Sequence, residues 1–252
     1  MPHLNRDGVS IWYEDHGTGP VILLSHGYSA TCRMWDGQIA AFHDRYRVIV
    51  WDMRGHGQSD YPADPAAYSE DATVADMAAI LDACGVDSAI IGGLSLGGYM
   101  SLAFHLRHPQ RTRALMLFDT GPGFKSDQAR ETWNARARAR GDELEARGLA
   151  ALGQSDEVRM SQHRSAAGLA GAARGMLTQR DDSAIRSLET IRVPTLVLVG
   201  ANDTNFLTAA DYMAAKIPGA EKVVVPDAGH AANLHQPMAF NRAMQGFLAR
   251  VG

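Results

Sequence analysis

The segment GLSLG at 93–97 places Ser95 between two glycines in the G-x-S-x-G spacing. It follows an apolar run at 88–94 and precedes an amphipathic stretch, so a strand is expected to enter it and a helix to leave it. A serine at the end of a strand must turn sharply, and glycines two residues away on each side relieve the crowding of the backbone. The helix that begins at Leu96 also directs its positive end toward Ser95. In this context the pattern predicts a nucleophile rather than a simple Gly/Ser turn.

A serine hydroxyl is a weak nucleophile at neutral pH and needs a neighbouring base. Among the ten histidines, His230 lies in a turn after the last apolar run, and catalytic groups gather at the carboxyl ends of parallel strands. Asp203 follows the preceding strand and is predicted to hold the histidine in one tautomer. Asp119, directly after the strand predicted at 114–118, is the main alternative acid. Asp227 is interpreted as a turn residue.

The chemistry that these residues predict is acyl transfer through an acyl-enzyme. His230 takes the proton from Ser95, which attacks a carbonyl group, and the same histidine later activates water. The oxyanion that develops needs hydrogen-bond donors, and the backbone N–H groups of Leu96 and Tyr28 are the predicted pair. Tyr28 follows the apolar run at 21–25, so its N–H is expected at the end of a second strand.

These residues have to be positioned by a sheet. Six short apolar runs end in turn residues and alternate with longer amphipathic stretches, which is typical of strands buried inside a parallel sheet. An earlier segment with alternating apolar and polar residues is predicted to start the sheet as an antiparallel edge strand. We therefore expect an α/β fold with a mostly parallel central sheet flanked by helices. The six runs lie at 21–25, 46–51, 88–94, 114–118, 195–199 and 222–225, the edge strand at 9–14, and the helices at 70–84, 97–108, 206–217 and 237–250.

Residues 122–188 interrupt this alternation. They are rich in Ala, Arg, Gly and Glu and contain no strand-like run. Leucines and methionines recur along them too often for a disordered linker. The sequence therefore predicts a helical cap, inserted into one core domain that is formed by 1–121 and 189–252. We expect this cap to form the roof of the substrate pocket.

Composition and charge exclude several other classes of protein. The chain has 252 residues, a formal net charge of −4 and no long block of one sign, which argues against nucleic acid or an acidic membrane as a partner. No stretch reaches the ~20 apolar residues that a membrane span needs, and the first eight residues lack the apolar core of a signal peptide. Cys32 and Cys84 form no disulfide framework and are interpreted as reduced thiols. We expect a cytoplasmic protein.

Five motifs together resemble the signature blocks of the α/β-hydrolase superfamily, in their usual order and across nearly the whole chain outside 122–188. The resemblance implies the α/β-hydrolase fold, with His26 shaping the oxyanion loop and His56 in a structural turn. Within the superfamily the sequence is most similar to small carboxylesterases and 3-oxoadipate enol-lactonase-like proteins, although His235 stands where an acidic residue is common. The motifs are SHGY at 25–28, DMRGHGQS at 52–59, GLSLGG at 93–98, GAND at 200–203 and GH at 229–230.

Other residues near these motifs are interpreted as structural. His105 and His163 have no motif around them and are expected at the surface, or in the core with partners. Trp35, after the oxyanion loop, and Tyr99, just after the nucleophile, are expected to pack rather than to bind a ligand.

The expected function is hydrolysis of a small carboxylic ester or lactone by Ser95, with no cofactor and no metal ion. The glycine-rich segment at 92–98 lacks the dinucleotide-binding register, and no histidines or carboxylates share the spacing of metal ligands. A serine nucleophile argues against the haloalkane dehalogenase and epoxide hydrolase branches, which have aspartate there. A C–C bond hydrolase or a cofactor-free perhydrolase would use the same three residues, and a hydrolase-like small-molecule receptor is the alternative from a different class.

Overall fold

The computed structural model describes residues 3–251, and its centre is an eight-stranded sheet. The strands are β1 (His3–Arg6), β2 (Val9–His16), β3 (Val21–Ser25), β4 (Arg47–Trp51), β5 (Ala89–Leu94), β6 (Thr112–Phe118), β7 (Thr195–Gly200) and β8 (Glu221–Val225). They lie in the order β1-β2-β4-β3-β5-β6-β7-β8. β2 pairs antiparallel with β1 and with β4, and the other neighbours are parallel. The mostly parallel sheet predicted from the apolar runs is therefore confirmed.

Helices cover both faces of the sheet because its central strands are apolar on both sides. Along β3, Leu23 faces one core layer, which includes Met77, whereas Ile22 and Leu24 face the other, which includes Phe240. Burial on both faces explains why these strands are continuous apolar runs rather than alternating ones. The helices are α1 (Asp36–Phe42), α2 (Glu70–Ala83), α3 (Leu96–Arg107), α4 (Asp127–Arg147), α5 (Asp156–Met160), α6 (Ala166–Ala172), α7 (Ser183–Ser187), α8 (Leu207–Lys216), α9 (Ala232–His235) and α10 (Pro237–Val251).

The edge of the sheet differs from the prediction. The segment predicted as the edge strand is β2, which is antiparallel but lies second in the sheet, and β1 is the edge. β1 and β2 form a hairpin in which Arg6 pairs with Val9. The two residues between them, Asp7 and Gly8, both have positive φ, of 54° and 82°, as a two-residue hairpin turn requires. The Asp-Gly pair was the available signal, but the polar sequence of β1 has no strand pattern.

The parallel register brings the candidate residues to one edge of the sheet. Leu94 at the end of β5 is level with Phe118 at the end of β6, and Phe118 is level with Leu198 of β7. Ser95 and Asp119 follow these two strand ends directly, so both lie at the carboxyl edge, where α/β sheets bind their ligands.

Between β6 and β7, the chain forms helices α4 to α7 and no strand. Leu144 of α4 packs with Leu169 and Ala170 of α6 in a small apolar cluster of their own. This packing anchors the segment at 122–188, and its division from the core as a cap remains an interpretation. No helix within residues 3–251 has the length and apolar character to cross a membrane.

Buried polar groups hold the loop at 52–59, between β4 and α2. Arg54 donates hydrogen bonds to both carboxylate oxygens of Asp76, at 2.6 and 2.7 Å. Asp52 accepts the backbone N–H of Cys32 at 2.7 Å and that of Gln58 at 2.8 Å. These contacts tie the loop to α2 on one side and to the segment after β3 on the other.

We predict that Asp76→Leu lowers the free energy of unfolding by about 3–5 kcal/mol, because it leaves the Arg54 guanidinium buried without its main partner. The double variant Arg54→Met/Asp76→Leu should lose less than Asp76→Leu alone, since it removes both buried charges together. Urea denaturation at pH 7 measures both values. A double variant less stable than Asp76→Leu would contradict the prediction.

Candidate active site

Ser95 lies in the turn between β5 and α3. Its backbone angles are φ 55° and ψ −115°, which a residue other than glycine adopts only where its surroundings hold it there. A Cβ at Gly97 would collide with the carbonyl group of Ser25, and a Cβ at Gly93 would collide with the backbone of Gly97. The two glycines therefore let the turn pack directly against the end of β3.

His230 and Asp203 lie on the loops after β8 and β7. His230 Nδ1 and Asp203 Oδ2 are 2.8 Å apart and hydrogen bonded. Burial acts to lower the pKa of His230, but the hydrogen bond and the negative charge of Asp203 outweigh it and raise the pKa above its ordinary value of 6.5. Phe206 stacks on the imidazole with 5.1 Å between ring centroids. An imidazole oriented through Nδ1 in this way can use Nε2 as a general base.

Backbone hydrogen bonds join the two loops. The N–H of Asn202 donates to the carbonyl of Ala228 at 2.8 Å, so the segment before Asp203 is fixed to the segment before His230. The N–H of Gly229 donates to His235 Nδ1 at 2.9 Å. His235, which departs from the family pattern, therefore stabilises the histidine loop.

One cavity of about 540 Å³ is lined by Ser95, His230, Tyr28 and Leu96 together. Asp203 lies behind His230 and does not line it. The structure has no hydrogen bond between Ser95 and His230; such contacts are often long without substrate and tighten when it binds. The predicted residues are thus gathered at one place, and their catalytic roles remain a proposal.

Two backbone N–H groups beside Ser95 are free to donate. The N–H of Leu96 lies at the first turn of α3, where N–H groups have no partner inside the helix. The N–H of Tyr28 makes no hydrogen bond within residues 3–251, and a Cβ on the preceding Gly27 would lie 3.5 Å from the Cβ of Ser95. The loop after β3 therefore passes close to the serine, as an oxyanion hole requires.

Three histidines fix this loop. His56 Nε2 accepts the backbone N–H of Ser29 at 3.2 Å, and His163 Nε2 donates to the carbonyl of Ser29 at 2.9 Å. His26 Nε2 accepts a backbone N–H from the loop after β4 at 2.9 Å. Burial lowers the pKa of all three imidazoles, and a neutral ring accepts at one nitrogen and donates at the other. His163 thereby links the segment at 122–188 to the loop that carries Tyr28.

Asp119, the alternative acid, is fully buried at the end of β6. Its Oδ1 accepts the backbone N–H of Gly200 at 2.8 Å, and its Oδ2 has no hydrogen-bond partner within residues 3–251. Burial, with a smaller contribution from the negative charge of Asp203, raises its pKa to about 8, although the Gly200 N–H and the nearby His230 act to lower it. The imidazole of His230 bonds to Asp203 and not to Asp119.

Three residues of the cavity wall lie outside the predicted site. Tyr99, expected only to pack, lines the cavity and donates its hydroxyl to Glu70 at 2.8 Å. Gln179 and Arg136 line the same cavity from the segment at 122–188.

His105 departs from its prediction in another way, because its Nδ1 is buried without a partner among the described residues. In residues 3–251, no three His, Cys, Asp or Glu side chains are grouped to hold a metal ion.

Comparisons with known proteins agree with this architecture. The family model for the α/β-hydrolase fold matches residues 20–144. The chain is 28% identical to 3-oxoadipate enol-lactonase 2 of Acinetobacter baylyi, over 98% of this chain and 96% of the relative. A solved hydrolase from Pseudomonas aeruginosa PA01 is 31% identical with a TM-score of 0.81, covering 98% of this chain and 97% of that one. A thermophilic esterase from Thermogutta terrifontis is 29% identical with a TM-score of 0.86, covering 100% and 99%.

We predict that the free energy of unfolding of Asp119→Asn, relative to that of the original chain, increases with pH. Between the ordinary pKa of 3.8 and the raised value of about 8, folded Asp119 holds a proton that the unfolded chain has released. The free energy of unfolding therefore falls as pH rises through this window, by up to about 1.4 kcal/mol per pH unit, and levels off above it. An asparagine does not titrate, so the free energy of unfolding of Asp119→Asn does not fall in this way.

Urea denaturation at pH 5, 6, 7, 8 and 9 measures the difference, with Asp87→Asn on the surface as the control. A stability difference for Asp119→Asn that is the same at every pH would contradict the raised pKa.

Proposed function

The chain belongs to the α/β-hydrolase fold family, and on that premise we propose that it is a serine hydrolase that cleaves a carboxylic ester or a lactone. The observation that carries the proposal is the hydrogen-bonded pair of His230 and Asp203 beside the strained turn of Ser95, with serine and imidazole in the wall of one cavity. Nucleophile, acid and base follow three strands of one sheet, in the chain order that this fold uses.

In the first half of the reaction, His230 Nε2 removes the proton from Ser95 Oγ as the oxygen attacks the substrate carbonyl carbon. The carbonyl oxygen becomes negative and is stabilised by the backbone N–H groups of Tyr28 and Leu96. The bond between the carbonyl carbon and the leaving oxygen then breaks, and that oxygen takes its proton from His230. The acyl group remains on Ser95. From a lactone, the leaving hydroxyl stays attached to the acyl chain.

In the second half, a water molecule takes the place of the leaving group. His230 removes one proton from the water, whose oxygen attacks the acyl carbon, and the same proton returns to Ser95 as the ester bond breaks. Asp203 does not exchange a proton in this scheme. It keeps the imidazole in the tautomer with hydrogen on Nδ1 and stabilises the imidazolium that forms twice per cycle.

The cavity supports a small-molecule substrate. Its wall is mostly apolar, with Trp133, Phe124, Leu177 and Phe206 among its side chains, and a volume of about 540 Å³ falls within the usual range for small ligands. The similarity of this chain to an enol-lactonase and to an esterase supports an ester or a lactone as the substrate.

We predict that Ser95→Ala lowers kcat/KM for p-nitrophenyl acetate by on the order of 10³–10⁶-fold, because the acyl-enzyme can no longer form. A panel of p-nitrophenyl esters and small lactones measures turnover, with circular dichroism to verify folding. Ser155→Ala, at an exposed serine, is the matched control and should keep full activity. Turnover of an ester by Ser95→Ala within about tenfold of the original rate would contradict the proposal. Absence of turnover on the whole panel by the original chain would favour a C–C hydrolase, a perhydrolase or a receptor.

Asp203→Asn should lower kcat for the best ester by about 10²–10⁴-fold, because the imidazole loses the acceptor that fixes its tautomer. Asp119→Asn keeps an acceptor for the Gly200 N–H and should retain kcat within about threefold, since a neutral side chain replaces a carboxyl that is protonated at pH 7. Steady-state kinetics at pH 7 compare the two variants. If Asp119→Asn were the crippling change, Asp203 would not be the catalytic acid.

A further inference from the structure

The loop after β3 forms a tight turn at residues 27–30, and the predicted oxyanion donor lies inside this turn. The N–H of Ala30 donates to the carbonyl of Gly27 at 3.1 Å, and His26 Nδ1 donates to the same oxygen at 2.7 Å. That carbonyl and the Tyr28 N–H belong to one planar trans peptide unit and point in opposite directions. The direction of the N–H is therefore kept only while the turn keeps its shape.

Ser29, at the third position of the turn, is its strained residue. Its φ of 59° lies in the left-handed region, which a serine adopts only where its surroundings hold it. The core holds one side, because His56 Nε2 accepts the Ser29 N–H at 3.2 Å. The other side is held from the segment at 122–188, where His163 Nε2 donates to the Ser29 carbonyl at 2.9 Å. The turn therefore depends on a contact from outside the core.

The chain around His163 is itself fixed to the core. The hydroxyl of Tyr61 accepts the backbone N–H of Arg164 at 3.1 Å and donates to the carbonyl of Gly57 at 2.9 Å. The Gly57 N–H donates to His163 Nδ1 at 3.3 Å, so the ring accepts at Nδ1 and donates from Nε2, as a neutral imidazole does. The contact with Ser29 is thus made by a ring of defined tautomer and position.

A second contact joins the same turn to helix α6. The hydroxyl of Tyr28 donates to the carbonyl of Leu169 in α6 at 2.9 Å, and its ring packs against the apolar cluster of that helix. α6 lies directly on the core at this point, since a Cβ at Gly168 would lie 2.2 Å from the ring of Tyr61. The turn is therefore held through the side chain of Tyr28 as well as through the backbone of Ser29.

We propose that His163 and the Tyr28 hydroxyl are positioning groups, through which the segment at 122–188 aligns the Tyr28 N–H with the oxyanion. This inference rests on the proposed serine hydrolase function. The catalytic groups of that function all lie in the core, and the two contacts add a requirement from outside it. An oxyanion donor is effective only when it is already directed at the oxygen that becomes negative. Loosening the turn should therefore slow the reaction without weakening the binding of substrate.

Two substitutions of His163 isolate the contact with Ser29. In His163→Gln the side-chain amide reaches the position of Nε2 and can still donate to Ser29, whereas in His163→Asn it reaches only the position of Nδ1 and can still accept the Gly57 N–H. We expect His163→Asn to lower kcat for the best p-nitrophenyl ester by about tenfold, and His163→Gln by no more than about threefold. KM should stay within about twofold, because acylation and deacylation both pass through the oxyanion and are slowed alike. Gln162→Ala, at the exposed neighbour, should change neither constant.

Tyr28→Phe removes the second contact, and the chain offers a matched control for it. Tyr68→Phe deletes the same kind of bond, from a tyrosine hydroxyl to the carbonyl of Pro62 at 2.9 Å, in the segment before α2. Urea denaturation should give similar losses in the free energy of unfolding for the two variants. Only Tyr28→Phe should lower kcat, by about three- to tenfold. Equal losses of kcat in these two variants, or equal losses in His163→Asn and His163→Gln, would overturn the proposal.

An inhibitor that occupies the oxyanion hole reports on the alignment directly. A trifluoromethyl ketone adds to the Ser95 hydroxyl to give a tetrahedral anion, and this adduct needs the same donors as the reaction. Its inhibition constant should rise about tenfold in His163→Asn, in parallel with the loss of kcat. An inhibition constant that stays the same while kcat falls would contradict a role in the oxyanion hole.

Hydrogen–deuterium exchange needs no turnover, so it separates this inference from the proposed function. A peptide that covers residues 24–31 should exchange faster in His163→Asn and in Tyr28→Phe than in the original chain, and at the original rate in Tyr68→Phe. If no ester or lactone is turned over in a Ser95-dependent way and the exchange follows this pattern, the hydrolase proposal fails and the positioning of the turn stands. If the exchange responds to neither substitution, the positioning fails whatever the fate of the hydrolase proposal.

Discussion

The candidate site depends on how closely the turn at Ser95 packs against the end of β3. Gly97 touches the carbonyl group of Ser25 with no room for a side chain, and the sheet register holds Ser25 level with Gly93. The chain that leaves β3 carries the Tyr28 N–H two residues after His26, so the contact between the Ser95 turn and the end of β3 sets the spacing of the proposed nucleophile and one proposed oxyanion donor. Two donors and an attacking oxygen must converge on one carbonyl group, and a rigid sheet meets that demand better than flexible loops would.

The loop after β3 needs support of its own, because Ser29 has a positive φ of 59°. His56 and His163 bond to the N–H and the carbonyl of this one residue, and they come from the loop after β4 and from the segment at 122–188. Since burial keeps both rings neutral, each can be an acceptor on one side and a donor on the other. The oxyanion loop is therefore shaped by the core and by the helices above it together.

The sequence predicts where a site residue lies when that residue comes soon after the end of a strand. Ser95, Asp203 and His230 are predicted to meet because each lies in the turn or loop after a parallel strand, and such strands end at the same edge. β1 was missed because its polar residues lie at the sheet edge, where no apolar pattern is required. Gln179 and Arg136 could not be predicted, since a loop and a helix without any motif bring them to the cavity, and their positions depend on tertiary packing that leaves no periodic trace in the sequence.

The two aspartates differ in their surroundings, which the sequence pattern does not show. Asp119 and Asp203 each follow a strand of the same sheet, so spacing alone leaves both open as the acid. In the structure, Asp203 has the imidazole N–H as its partner, whereas Asp119 has one peptide N–H and an oxygen with no partner in residues 3–251. A carboxyl in such a site is held protonated by burial. Protonation also removes the repulsion that two adjacent carboxylates would have, which leaves a single negative charge to orient His230.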